Sequence, residues 1–237
     1  MNPQFEISNP LASFSGSSPL FPLPEAVLLP HVLVPLHIFE PRYREMTADA
    51  LNGEGFIATA CLQVPSSGSP SSGSTDCPSI SQTVCLGRIA GWKRLVDGRY
   101  YILLQGMSRA QIIREIPDSQ SLYRAAELQL LADDESCLTD VMQDHFRHEL
   151  MTVYRTVYPQ IEVNQLFQTA YASTSSLGSV CDVLASSLTG QRGWMQKVLE
   201  QSDVKLRAQM LLQRLQQMVD EQARAGTPGF PPPFSPN

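Results

Sequence analysis

The sequence predicts an α+β protein in which a β-rich part precedes an α-helical part. Across residues 19–132, short apolar runs are bounded by Pro and Gly, and the dipeptide Asp97-Gly98 marks a tight turn between two of them. Across residues 133–225, apolar residues recur at steps of three and four, which is typical of amphipathic helices. This change of period separates the two parts of the chain.

Prolines organise the stretch at residues 19–46, which reads PLFPLPEAVLLPHVLVPLHIFEPRYREM. Because Pro lacks a backbone N–H and fixes φ, the prolines exclude a helix before Phe39 and favour the seam of a barrel over a central strand. Pro41 suits the first position of a helix over Arg42–Leu51, and Gly53 ends that helix. Two extended segments are predicted before the helix: Leu20–Leu23 and Val32–Phe39.

The strand signals that follow favour an antiparallel barrel or sandwich. Residues 65–79 (PSSGSPSSGSTDCPS) are expected to form a mobile loop, since this composition buries too little apolar surface to order. Residues 1–18 are expected to be a disordered tail, and residues 226–237 a Pro-rich extended tail. The predicted strands are Gly55–Val64, Thr83–Val96, Arg99–Gln105, Ser108–Ile116 and Leu122–Leu131.

Helical periodicity dominates residues 133–225, which are predicted to form a bundle. The last helix has a four/three repeat for little more than two heptads, so it is expected to pack within its own bundle rather than to dimerise. Ser202-Asp203 supplies its N-cap. The other predicted helices are Leu138–Val157, which Pro159 ends, Asn164–Ala172, Leu177–Leu188 before Gly190, and a short helix around Trp194, Val198 and Leu199.

Composition narrows the class of protein. A hydrophobic fraction of 43% supports a packed core, and no apolar run reaches the ~20 residues of a membrane helix. The net charge of −6 argues against a general nucleic-acid binder. Five scattered cysteines without metal-ligand spacing indicate reduced thiols, and the N-terminal residues lack the pattern of a signal peptide. We therefore expect a cytoplasmic protein without a cofactor.

Three groups of motifs resemble the Lon protease substrate-binding (N-terminal) domain family, and most of all bacterial proteins that consist of this domain alone. The first is the Pro-rich stretch, which matches LPLFPL…LFPG…LPLHIFEPRYR except that His31 stands where Gly is usual. The second is GRI…DGRY.I.L.G..R followed by YR.AE. The third is SVCDVLASSL with LEQSDVKLRAQMLLQRL. The resemblance implies a PUA-like β pseudo-barrel over residues 19–132 and a helical subdomain over residues 133–225.

The resemblance also implies a function, namely the capture of exposed or unfolded polypeptide, which Lon delivers to its own ATPase. No Gly-Lys pair exists in this chain to form a phosphate-binding loop. Its three lysines lie in segments assigned to the binding domain, which leaves no place for a Ser–Lys protease site. We therefore expect a non-catalytic adaptor or regulator that binds extended polypeptide, with a protease or an ATPase as a candidate partner.

The charged end of the Pro-rich stretch is the candidate binding site, with aromatic anchors and a polar rim. A purely structural role is the alternative, in which Glu40 receives the first amides of the helix and Arg42 pairs with a strand carboxylate such as Glu127. The predicted peptide-binding residues are Phe39, Glu40, Arg42, Tyr43, Trp92 and Arg94. An extended peptide is expected to add to an edge strand at the seam.

Two alternative functions remain open from the sequence. A hydrolase would need a nucleophile and base such as Cys61 with His37, or a metal held by His145 and His148 with nearby carboxylates. An RNA-binding protein would use Trp92-Lys93-Arg94, because PUA-like folds elsewhere bind RNA. Buried structural cysteine is commoner than reactive cysteine, and three residues are a small basic patch, so neither alternative is the preferred prediction.

Overall fold

The computed structural model describes residues 11–24, 26–63, 78–117, 120–159, 176–188 and 192–225. The predicted tails at residues 1–10 and 226–237, the predicted loop at residues 65–77, the predicted helix Asn164–Ala172 and Gly190 lie outside these ranges. Two compact units make up the chain. The first unit comprises Met1–Ala132 and Ser186–Ser202, and the second comprises Asp133–Ala185 and Asp203–Asn237.

Six strands and five helices occur among the described residues, in agreement with the predicted α+β class. The strands are β1 (Ser17–Leu23), β2 (Leu33–Ile38), β3 (Phe56–Cys61), β4 (Thr83–Arg94), β5 (Tyr100–Ile116) and β6 (Arg124–Leu131). The helices are α1 (Pro41–Asn52), α2 (Asp140–Val157), α3 (Leu177–Ser187), α4 (Arg192–Glu200) and α5 (Val204–Ala225).

The strands form one sheet in the order β2-β5-β4-β3-β1-β6, and an additional β5–β6 pairing closes five of them into a barrel. Strand β2 lies outside the closed ring and pairs with the first part of β5, from Leu33 opposite Gln105 to Ile38 opposite Tyr100. The pairing of β1 with β3 is parallel, whereas the other pairings are antiparallel. The expected fully antiparallel barrel is therefore corrected at this one pair.

The first strand begins within the segment that the sequence assigns to a disordered tail. Strand β1 starts at Ser17, and the side chains of Leu11 and Phe14 pack against the barrel core. The ring of Phe14 contacts that of Phe56 edge-on, with their centroids 5.4 Å apart. The isolated apolar residues of the N-terminal segment thus contribute to the core, at least from Leu11 onward.

Strand β5 runs without a break through Gly106, where the sequence predicts two separate strands. A Cβ at Gly106 would lie 2.1 Å from the carbonyl oxygen of Leu29. Gly106 also donates its N–H to the carbonyl of Val32 and accepts the N–H of His31. The glycine therefore permits a close approach of the chain that enters β2 and does not interrupt the strand.

Helix α1 matches its sequence-based prediction closely. Pro41 occupies the first turn, and the N–H of Gly53 donates to the carbonyls of Asp49 and Ala50 at the other end. Tyr43, Met46 and Ala50 turn one face of the helix to the core. Arg44 extends to the β4–β5 turn, where its Nε donates to the carbonyl of Gly98 at 2.9 Å. Gly98 has a φ of +82°, as the predicted Asp97-Gly98 turn requires.

Helix α4 belongs to the first unit, although the sequence places it in a continuous helical part. Buried Arg109, 2% exposed, donates from Nε to the carbonyl of Leu199 at 3.1 Å. Gln196 donates from Nε2 to the carbonyl of Thr83 at 3.0 Å. An arginine that binds the last carbonyls of a helix satisfies acceptors that otherwise lack partners. These bonds fasten α4 to strands β4 and β5.

The second unit packs α2 against α5. Thr139 caps α2 by accepting the N–H of Met142, and Asp203 caps α5 by accepting the N–H of Leu206, as predicted for the last helix. The predicted apolar stripe of α2 is buried at Leu150 and Val157, and Tyr154 joins it. None of the described helices is long and apolar enough to cross a membrane.

Candidate functional site

The barrel wall opens between the second half of β1 and strand β2. Strand β6 pairs with β1 only from Ser17 to Leu20, and β3 occupies the opposite edge of β1 from Leu20 to Leu23. A cavity of about 440 Å³, here called the barrel opening, lies along β1 beyond Leu20, where β1 no longer pairs with β6. It is lined by Leu20–Pro24, Leu36–Glu40, Arg42, Tyr43, Leu62, Pro78 and Leu122–Arg124.

Prolines form the β1 edge of the barrel opening. Gly16 accepts the N–H of Leu128 on the β6 side, whereas Leu23 accepts the N–H of Leu62 on the β3 side. Because backbone groups alternate between the two edges of a strand, the backbone groups of even-numbered residues of β1 point to the β6 side. The backbone positions of Pro22 and, just after the strand, Pro24 therefore border the opening, where Pro has no N–H to leave unsatisfied. The carbonyl of Pro24 accepts a hydrogen bond from the Arg192 guanidinium.

Strand β2 repeats this arrangement on the opposite edge. The carbonyl of Val32 accepts the N–H of Gly106 at 2.8 Å, so the backbone N–H and C=O groups of the even-numbered residues of β2 point toward β5. Leu33, Pro35 and His37 consequently present their backbone groups away from β5, and Pro35 has no N–H to offer. An added peptide strand would find few donors on either edge. Strand addition at the seam stays a prediction, and these prolines limit it.

The interior of the barrel opening is apolar. Leu20 and Ile38 are buried, and the ring of Phe21 contacts that of Tyr43 edge-on, with centroids 4.6 Å apart. At the mouth, Phe39 is 59% exposed. Leu122, which precedes β6, lines the same cavity, and its exposed fraction is 62%. Exposed apolar groups at the mouth of an apolar cavity are typical of a site that takes an apolar group.

The charged residues at the mouth pair with each other. Arg42 binds the Glu40 carboxylate at 2.8 Å, and its guanidinium lies over the ring of Tyr43, 4.5 Å from the centroid. The Glu40 side chain does not cap α1; its main-chain carbonyl accepts the N–H of Arg44 instead. The pairing of Arg42 with Glu127, part of the alternative structural role, does not occur either, because Arg42 binds Glu40 and Glu127 binds Arg114 at 2.6 Å. Short-range partners in sequence thus replace the predicted ones.

On the opposite rim, Arg124 connects two segments. Its guanidinium binds both carboxylate oxygens of Glu115, and Nη1 donates to the carbonyl of Pro78 at 2.9 Å. The hydrogen bond from Arg124 lowers the pKa of Glu115 below its ordinary value. Neighbouring Tyr123 donates to Asp49 at 2.8 Å, and burial together with that bond raises the pKa of Tyr123 to about 12. At neutral pH this rim holds an ion pair and a protonated phenol.

Four of the six predicted binding residues line the barrel opening, and two do not. Phe39, Glu40, Arg42 and Tyr43 are at the cavity. Trp92 and Arg94 lie beside Tyr100, with the Trp92 ring centroid at 6.3 Å and the Arg94 guanidinium at 5.8 Å from that ring. The predicted set leaves out two groups of lining residues. Leu20–Pro24 and Leu36–Ile38 belong to the Pro-rich stretch itself, whereas the others come from distant segments that no local pattern distinguishes: Leu62, Pro78 and Leu122–Arg124.

Register separates the basic residues that suggested RNA binding. Lys93 is opposite Tyr101, which is exposed, whereas Arg94 is opposite Tyr100, which is buried. Because paired residues of adjacent strands share a face and successive residues alternate, Lys93 points to the opposite face from Trp92 and Arg94. Trp92-Lys93-Arg94 does not form one patch.

The structure does not assemble the predicted nucleophile and base. Cys61 is buried, its thiol donates to the carbonyl of Leu62, and burial raises its pKa, which favours the thiol over the thiolate. His37 instead stacks on Tyr101 with ring centroids 4.7 Å apart. His145 lies 3.7 Å from Glu149 on the exposed face of α2. Within the described ranges, no group of three or more His, Cys, Asp or Glu could hold a metal ion.

Comparison with known proteins gives a consistent result. The model of the family described as the ATP-dependent protease La (LON) substrate-binding domain matches residues 17–217. The chain is 24% identical to a Lon protease of Desulfosudis oleivorans over 223 residues, covering 92% of this chain and 26% of that protein. It is 28% identical over 112 residues to a Lon protease of Azorhizobium caulinodans, covering 47% and 12% respectively. The chain thus spans about a quarter or less of the length of these relatives.

Solved structures show the same fold. The N-terminal domain of a Mycobacterium avium complex Lon protease has a TM-score of 0.60 at 16% identity, covering 84% of this chain and 98% of that chain. A Lon N-terminal domain protein from Xanthomonas campestris has a TM-score of 0.55 at 20% identity, covering 90% and 99%. At these identities the similarity shows the fold alone.

Proposed function

The chain belongs to the LON substrate-binding domain family, and from this premise we propose that it recognises extended or unfolded polypeptide by taking a large apolar side chain into the barrel opening. The observation that carries the proposal is the cavity itself, about 440 Å³ and lined mainly by apolar residues. Its size lies within the range of pockets that bind small molecules, which leaves room for one large side chain. Proline edges make side-chain insertion, rather than strand addition, the main source of affinity.

Binding without catalysis is part of the proposal. The charged side chains at the mouth form the pairs Glu40–Arg42 and Glu115–Arg124, which hold the rim in place. The Cys61 thiol is buried with a raised pKa, and His37 stacks on Tyr101. These arrangements favour a surface that holds a chain over one that attacks it.

We further propose that the protein acts as an adaptor or regulator, which passes a captured polypeptide to an ATP-dependent protease. The family name and the similarity to Lon proteases support this role. A cytoplasmic location is also proposed, since Cys61, Cys85 and Cys181 are buried and not joined in disulfides, as expected in a reducing compartment.

Phe39→Ala tests the proposal at the mouth of the opening. Loss of the exposed ring is expected to weaken binding of a dye-labelled, unfolded model polypeptide about 5- to 30-fold. The reason is that burial of this ring on binding contributes about 1–2 kcal/mol to the binding free energy. Fluorescence anisotropy gives the dissociation constants. Tyr43 is less suitable for this experiment, because it is buried against Phe21 and its removal would disturb the fold.

Trp92→Ala is the matched control, since Trp92 is 57% exposed but lies outside the opening. Its dissociation constant is expected to stay within twofold of the parent value. Equal loss in both variants, or none in Phe39→Ala, would contradict the placement of the site. Circular dichroism melts should show that both variants keep the parent fold.

A further inference from the structure

The outer face of strands β2, β5 and β4 continues outward from the barrel opening. Two rows of paired residues cross it: Pro35, Leu103 and Gly91 in one row, and His37, Tyr101 and Lys93 in the other. These six residues are here called the outer strip. His37 also lines the barrel opening, so the strip begins at the mouth of the cavity.

Aromatic and apolar surface covers most of the outer strip. The rings of His37 and Tyr101 stack, with an interplanar angle of 23°, and Phe39 lies 5.8 Å from His37 at the start of the strip. Tyr101 is 52% exposed. Gly91 adds no side chain over its neighbour Leu103. The outer strip is therefore a mainly aromatic and apolar surface across three strands, which suits an extended chain lying over the aromatic rings.

Lys93 is the one charged residue of the outer strip, and it is exposed. Within the described part of the chain, no carboxylate pairs with it. The hairpin carboxylate Asp97 is instead bound by Arg99 at 2.6 Å. Lys93 thus presents a positive charge without a carboxylate partner at the end of the outer strip that lies farther from the cavity.

Resting on the proposed function, we propose that the preferred polypeptide carries an acidic residue three or four positions from the apolar residue that enters the barrel opening. Adjacent strands lie about 4.8 Å apart, so the two spacings from His37 to Lys93 span about 10 Å. An extended chain rises about 3.3 Å per residue, and three residues cover that distance. The carboxylate then meets the Lys93 ammonium while the intervening residues lie over His37 and Tyr101.

Ten-residue, dye-labelled peptides with one Phe in a Ser/Gly/Ala background test this arrangement. One set has Glu three or four residues before or after the Phe, and the matched set has Gln there. For at least one position, the Glu peptide is expected to bind about 2- to 5-fold tighter than its Gln counterpart at low salt, as for an exposed ion pair. This preference should disappear at 0.5 M salt, because the charges are screened.

Variants of Lys93 and of its neighbour Arg94 test whether Lys93 causes the preference for the Glu peptide. Lys93→Gln is expected to bring the Glu/Gln affinity ratio to one, and Lys93→Glu is expected to invert it, so that the Gln peptide binds tighter than the Glu peptide. Arg94→Gln, on the same strand but the opposite face, should leave the ratio unchanged. A ratio of one in the parent, or one that persists in Lys93→Gln while the peptides still bind, would overturn this inference and leave the proposed function standing. Failure of every peptide to bind would overturn both.

Discussion

Replacing Arg207 by alanine is expected to lower the free energy of unfolding by about 3–5 kcal/mol, the usual cost of removing one partner of a buried charge pair. Arg207 is fully buried, and its guanidinium binds both Asp133 oxygens at 2.6 and 3.0 Å and Asp182 at 3.5 Å. Burial alone would lower the pKa of Arg207, but the two carboxylates raise it, so the group stays charged. Its removal leaves Asp182 buried without that charge.

Urea denaturation of the parent, Arg207→Ala and Gln209→Ala measures this effect. Gln209 is exposed on the same helix, so Gln209→Ala is expected to change stability by less than about 0.5 kcal/mol. The double variant Arg207→Met/Asp182→Leu should cost less than the sum of its single variants, because it removes both partners of the fully buried Arg207–Asp182 pair and leaves only the partly exposed Asp133. A loss in Arg207→Ala no larger than that of the control would show that the buried network does not stabilise the second unit.

Gly106→Ala is the second change with a large expected effect, a loss of about 3 kcal/mol from overpacking. The new Cβ would lie 2.1 Å from the carbonyl oxygen of Leu29, a backbone atom that cannot rotate away. Strain there would displace the chain that leads into β2 and so into the barrel opening. We therefore expect weaker binding of the unfolded polypeptide as well as a lower melting temperature.

Gly91→Ala is the control for Gly106→Ala, because both glycines lie in the same sheet. A Cβ at Gly91 would meet only Leu103 Cβ at 3.9 Å, an ordinary contact. Its stability should be equal to that of the parent or higher by up to about 1 kcal/mol, since Ala restricts the unfolded chain more than Gly. Similar melting temperatures for the two variants would contradict the close approach at Gly106.

Local signals explain why much of the fold can be predicted from the sequence. Pro41 and Gly53 bound α1 because each acts through its own backbone, and Asp203 caps α5 within one turn. His31 has a φ of +65°, in the left-handed region that glycine favours, and it stands where the family pattern has Gly. The Gly of the family pattern thus indicates the left-handed backbone conformation at this position, which a histidine alone does not indicate.

Contacts between distant segments explain what the sequence did not predict. Gly106 resembles an interruption in the sequence because the carbonyl of Leu29, whose close approach requires glycine there, lies 77 residues away in the chain. Helix α4 joins the barrel through Arg109, about 90 residues earlier, which periodicity cannot reveal. Leu122 reaches the opening because β6 begins at Arg124, opposite Leu20 of β1, two residues after Leu122. The sequence thus predicts Phe39, Glu40, Arg42 and Tyr43 of the cavity lining, whereas the lining residues from distant segments carry no local signal.

Methyl NMR during titration with a Phe-containing peptide reports directly whether a polypeptide binds in the barrel opening. We expect the largest chemical-shift changes in methyl groups that line the opening: Leu20, Leu23, Leu36, Ile38, Leu62 and Leu122. Methyl groups of the second unit at Leu150, Leu211 and Leu215 are expected to stay unchanged. Saturable changes confined to the second unit, with the opening unaffected, would contradict the proposal that the barrel opening holds the polypeptide.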